Sequence, residues 1–86
     1  MWVKNQDKTR LVESKSFEIE RMGKINKDGI WESSNGCRIR DDKGFIIAVY
    51  SSKEKAMKVL DMIQKWYNDE FLQKVFQMPQ DDEVEV

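Results

Sequence analysis

Histidine is absent from this chain, and cysteine occurs once, at Cys37. The first fact removes the commonest general base, the imidazole of Ser-His and Cys-His pairs, and the commonest metal ligand. An isolated Cys37 cannot assemble a zinc site, which needs clustered cysteines and histidines. On an alternating strand its ordinary role is that of a small core residue. Adjacent carboxylates stand at Asp41-Asp42, Asp69-Glu70 and Asp81-Asp82. Each pair falls in a turn, a helix end or a tail, where solvated charge is the default reading. No glycine-rich phosphate loop is present, and a lone Asn-Gly or Asp-Gly is hairpin chemistry. The residues point to a molecule that holds a partner without converting it, so no enzyme, cofactor or metal is expected.

Binding chemistry is better represented. Trp2, Lys4, Gln6, Lys8 and Arg10 alternate along the opening segment, as residues projecting from one face of a hairpin would. Arg38 and Arg40 share a face of another candidate strand. Rings beside cations and amides suit a base-plus-phosphate ligand through stacking, cation–π contact and charge-assisted hydrogen bonds. The competing reading is an ordinary wet sheet face with Trp2 partly buried. Glu18 and Glu20 would then pair with the cations across the ladder for little net energy.

Short strands and turns fill the first half. Asp28-Gly29, Asn35-Gly36 and Lys43-Gly44 each separate strand candidates, and Gly23 marks a fourth break. Candidate strands are Trp2 to Asn5, Arg10 to Glu13, Ser16 to Met22, Ile30 to Ser33 and Cys37 to Arg40. Phe45 to Tyr50 is uninterrupted by polar residues, which predicts a strand covered on both faces or one directly beneath a helix.

A helix follows. Ser51 with Glu54 makes a capping box, and Ser52 is an equally good cap one residue later. Ala56, Val59, Leu60, Ile63 and Tyr67 form its core stripe. Met57, Met62 and Trp66 widen the apolar face, either as more core or as a subunit interface. The pattern continues helical through Leu72, and Val75 to Met78 reads as an edge strand ended by Pro79. The expected fold is therefore α+β: a small antiparallel sheet of hairpin-connected strands packed by one C-terminal amphipathic helix. Residues 1–79 make one domain, and residues 80–86 read as an acidic, mobile tail.

Composition bounds the partners. Eighty-six residues give one small core, and such domains often gain stability by oligomerising. Charged residues are 36% of the chain but sum to −1, which argues against a dedicated duplex-DNA binder. No apolar run approaches the roughly 20 residues that span a bilayer. The opening MWVKNQDK lacks a signal-peptide layout, and one cysteine fits a reducing compartment, so a cytoplasmic location is expected.

Three islands carry a resemblance. MWVKNQDK resembles the MWIRSQDK opening of a family of small uncharacterised proteins from Gram-positive bacteria, their phages and mobile elements. YSSKEKAMKVLDMIQ resembles that family's strand-to-helix segment, and VFQMPQDDEV resembles its closing YQMP signature. Gln6, Asp7 and Lys8 match, as do Gln77, Met78 and Pro79. Lys4 stands where the family has arginine, which keeps the charge and loses the planar fork. Between Gly23 and Gly44 the likeness is one of outline. The mobile-element setting implies an accessory protein, such as a host-defence antagonist that sequesters a nucleotide-type immune signal as a homo-oligomer. Its ligand-binding residues would be Trp2, Lys4, Gln6, Lys8 and Gln77. The alternatives are an inhibitor that caps a host defence protein, through an exposed strand or through a tail whose acids imitate phosphates, and a structural or regulatory accessory.

Overall fold

A computed structural model describes residues 1–68 and 75–86 of the chain. Its elements run β1 (Trp2–Lys4), β2 (Leu11–Glu13), β3 (Phe17–Ile25), β4 (Trp31–Asp41), β5 (Ile46–Tyr50), α1 (Lys53–Tyr67) and β6 (Phe76–Gln77), followed by a 3-10 turn, Asp81–Glu83. The class is α+β, with one helix packed on a sheet. The strands divide into two three-stranded sheets, ordered β2-β1-β6 and β3-β4-β5. The smaller sheet is completed by β6, which returns from beyond the helix and adds in parallel to β1, pairing Val3 with Phe76. That return supplies the short edge strand expected around Val75 to Met78. The helical pattern expected through Leu72 lies partly outside the described residues.

Hairpin chemistry holds at two of the glycine turns. Asn26 to Ile30 closes β3 onto β4 with Gly29 at φ 78°, and Asp41 to Phe45 closes β4 onto β5 with Gly44 at φ 85°. Both positions are left-handed, where glycine has no Cβ penalty. The buried Asp41 carboxylate fixes the second turn by accepting from Lys43 N and Phe45 N, each at 2.9 Å. Asn35-Gly36 is not a turn. β4 runs through it as one strand, and the pairing shifts register there, from Arg21 opposite Cys37 to Gly23 opposite Ser33. The extra residues fall on β4 and form a bulge. Gly23 is not a break either. A Cβ there would run into the Trp31 ring, so glycine is what lets that indole cross the strand.

The core gathers Val3 and Val12 from the small sheet, Cys37, Ile39, Ile47, Ala48 and Tyr50 from the large one, and Ala56, Val59 and Ile63 from α1. Cys37 is buried there as an ordinary small residue. β5 is the outer strand of its sheet, not a central one. A register shift opposite Ile39 and Arg40 leaves neighbouring Ile47 and Ala48 both buried, while Ile46 and Val49 stay exposed. The bulge, and not two-sided burial, accounts for the missing alternation in this run.

Ser52, the second of the two candidate caps, accepts from Lys55 N at 3.2 Å. Tyr67 leaves the expected stripe and is 72% exposed. In the second apolar line, Trp66 turns inward and meets Phe76 edge-on at 5.4 Å, whereas Met57 and Met62 face outward. The segment expected as a mobile tail is docked. Val84 is buried, and Asp81 accepts from Ser51 N at 2.7 Å while meeting the Lys55 ammonium. An apolar residue among the acids, Val84, and a charge complementary to the start of α1 explain the difference.

Candidate functional site

The residues singled out near the N-terminus separate into two groups. Trp2 and Lys4 share the outer face of β1, opposite Glu13 and Leu11, and Trp2 is 49% exposed. The chain then turns sharply. Asn5 Oδ1 accepts from Thr9 N and Arg10 N, and Lys8 sits exposed at the tip with φ 66°. Arg10 leaves the alternation and stacks its guanidinium 4.3 Å above the Phe45 ring.

Gln6 turns the other way and completes the open edge of β5. Its backbone N–H donates to Ile47 O at 2.8 Å. Its side-chain amide then copies a strand partner, accepting from Val49 N at 2.8 Å and donating to Val49 O at 2.9 Å. The Gln77 amide donates to Asn5 O and Met78 O, and the Gln80 amide donates to Gln6 O. Pro79 O collects Tyr50 Oη at 2.8 Å and Gln6 Nε2 at 3.2 Å. Burial pushes the Tyr50 phenol well above its usual range, with the Asp81 and Glu83 carboxylates adding to the shift. It therefore stays a neutral donor. Gln6 joins the two sheets, Gln77 ties the ends of β1 and β6 within the smaller one, and both amides are spent on backbone.

The Arg38 and Arg40 face is also occupied. Glu20 sits between both guanidiniums, and Arg40 donates in addition to Gly44 O at 2.7 Å. Hydrogen bonding from Arg40, then the charge of Arg38, holds the Glu20 carboxyl below its usual range. Cross-strand pairing of this kind follows from the register, which sets Glu20 opposite Arg38 and Glu18 opposite Arg40.

A different place brings two cations without ion-pair partners and several serine hydroxyls together. Where α1 begins, it faces the middle of β3 and β4 across a cleft of about 390 Å³. Arg21, Ser33, Ser34, Ser51, Ser52 and Lys53 line it. Among the described residues, neither Arg21 nor Lys53 has an ion-pair partner. The first backbone N–H groups of a helix carry no intrahelical acceptor, and the helix dipole adds partial positive charge. Among the described lining residues, Glu54 is the one carboxylate. A second groove, about 360 Å³, lies between α1 and the start of β3, lined by Phe17, Leu60, Ile63 and Tyr67. Ser14 also borders it, buried and with its hydroxyl unpartnered among the described residues. Sequence reasoning passed over Arg21. It sits among alternating strand residues, and only the packing of α1 over β3 makes it face a helix terminus.

Among the described residues, no helix is long and apolar enough to cross a membrane. No family model, curated protein or solved structure matches the chain.

Proposed function

We propose that the chain is a non-enzymatic binding protein that sequesters a phosphate-bearing, nucleotide-type molecule and acts as a homo-oligomer. The resemblance to phage and mobile-element proteins makes a host-defence antagonist its role. The observation that carries the reading is the cleft at the start of α1, where Arg21, Lys53 and four serine side chains converge. Ser34 Oγ donates to Met22 O and Ser52 Oγ caps Lys55 N, so the set suited to phosphate oxygens is the two cations, the Ser33 and Ser51 hydroxyls and the first helix N–H groups. The groove by Phe17 offers an apolar surface on the same face of β3, roughly 13 Å further along at about 3.3 Å per residue. That separation matches an extended molecule with phosphates at one end and a ring at the other. Trp2, Lys4 and Lys8 belong to a separate exposed surface, so the binding role expected of them passes to the cleft.

The test is a panel of cyclic and ADP-ribose-like nucleotides read by thermal shift and by mass spectrometry of the recovered ligand. A bound nucleotide at about 100 times its Kd adds roughly 2.7 kcal/mol of stability. The double variant Arg21→Ser, Lys53→Ser should lose the shift, while Trp2→Ala should retain it. No shift with any member of the panel, or a chemically altered ligand, would sink the proposal.

One observation favours a second reading, an inhibitor of a host defence protein. The tip of the β3–β4 hairpin presents Ile25 at 70%, Ile30 at 62% and Trp31 at 55% exposure. Apolar side chains clustered at a projecting tip are the usual anchors of a protein contact. Phosphate mimicry by the tail is less well supported, because the Asp81 and Glu83 carboxylates are engaged with Ser51 N, the Lys55 ammonium and Gln80 N.

A further inference from the structure

The two outer strands of the larger sheet are treated differently. Gln6 closes the edge of β5, whereas among the described residues nothing pairs with the outer edge of β3. That edge is nine residues long, and it contains no proline. The bulge lies on β4, so β3 keeps an uninterrupted alternation. An edge of this length is a template for another strand unless it is covered.

We infer that β3 pairs antiparallel with β3 of a second copy, joining two three-stranded sheets into one continuous sheet about a two-fold axis. The sequence FEIERMGKI is complementary to itself in the full-overlap register. Phe17 then stands opposite Ile25 of the partner subunit, and Glu18 opposite Lys24 of the partner subunit. Each of these pairs occurs twice by symmetry. Glu18 and Lys24 lie on the same face of the strand, both exposed, so their charges meet across the ladder. Ile25, 70% exposed in the single copy, gains an aromatic neighbour. Arg21 meets Arg21 of the partner subunit at the axis. This is the one repulsive pair, and both guanidiniums are exposed at the open cleft, where solvent and salt screen them. A second copy is the occupant because the same strand supplies both halves of the charge pattern.

This interface deepens the homo-oligomer of the proposed function, resting on that reading for its biological use and on the β3 edge for its existence. Sedimentation equilibrium on the full chain without ligand separates the two. The wild type should form a dimer at micromolar concentration. Glu18→Lys sets like positive charges opposite each other across the axis, and Lys24→Glu sets like negative charges there. Each should weaken self-association about tenfold or more. Mixed in equal amounts, the two variants should form a heterodimer, which also shows that both are folded. A strand positive at positions 18 and 24 would then face a strand negative at both. A monomeric wild type, single variants as dimeric as the wild type, or a mixture that fails to pair would each overturn the inference. Dimers that bind no nucleotide would leave it standing and remove only the sequestration reading.

Discussion

The joint between the two sheets and the distal half of the β3–β4 hairpin put their side chains to opposite uses. At the joint, the uncharged amide of Gln6 reaches β5, and those of Gln77 and Gln80 hold the chain around Gln6 in place, each across more than forty positions. Each amide offers donor and acceptor together, so it can pair a strand edge without a charge to desolvate. In the hairpin, Ile25, Ile30 and Trp31 are apolar side chains of core size, yet each is more than half exposed. The chain extends 52 Å in its long direction and only 27 and 20 Å in the others. Polar segments near the ends thus complete this fold, and apolar side chains in the middle stay at its surface.

The contrast can be broken most directly at the joint. Gln6→Glu keeps the shape but turns a carboxylate oxygen toward Val49 O and Pro79 O, both now served by the amide N–H₂. A loss of about 1–3 kcal/mol is expected, from lost hydrogen bonds and the facing acceptors. For a domain of this size, at about 4–8 °C per kcal/mol, that lowers Tm by roughly 4–24 °C. An unchanged melting point would mean that the Gln6 amide is dispensable and that the backbone bond to Ile47 O, the Tyr50 hydroxyl and apolar contact suffice to hold the sheets together.

A smaller effect is expected on the acid side. The hydrogen bond from Ser51 N, then Lys55, holds the Asp81 carboxyl below its ordinary value of 3.8. A depressed folded-state value stabilises the protein above the unfolded value, and that contribution disappears as pH falls through the folded one. Melting curves taken from pH 5 to about pH 2 should therefore decline, and Asp81→Asn should decline less steeply. Parallel curves would show that the tail contributes no charge-dependent stability.

The smallest change belongs to the hairpin tip. Ile30→Ser removes an exposed side chain, and an exposed substitution of this kind shifts stability by within about 0.5 kcal/mol. Chemical denaturation checks this, and a large loss would mean that the tip is held by intrachain packing.

Much of the outline was legible in the residues. Turn glycines at Gly29 and Gly44 announced two hairpins, because positive φ is a local requirement that a neighbouring Asp or Lys does not alter. Ser52 and the spacing of Ala56, Val59 and Ile63 announced α1 for the same local reason. Asn35-Gly36 and Gly23 misled because each has a long-range cause. One sits in a bulge within a continuous strand, and the other lies beneath the Trp31 ring. The Gln6 and Gln77 amides were legible as polar groups near a possible ligand, but their acceptors are on β5 and in the chain flanking β1, which no local pattern reveals. Arg21 as a cleft residue was hidden likewise.

Residue types and their near neighbours were enough to make this chain an α+β domain with one capped helix, two glycine hairpins, no imidazole and a nearly balanced charge. Those properties are settled within a few positions of each residue. Three others came from the folded arrangement: which amide joins the sheets, which cations stay unpaired at the start of α1, and which strand edge stays open. Each depends on where distant segments meet, and hydrogen-bond pairing across forty to seventy positions leaves no periodic trace in the chain.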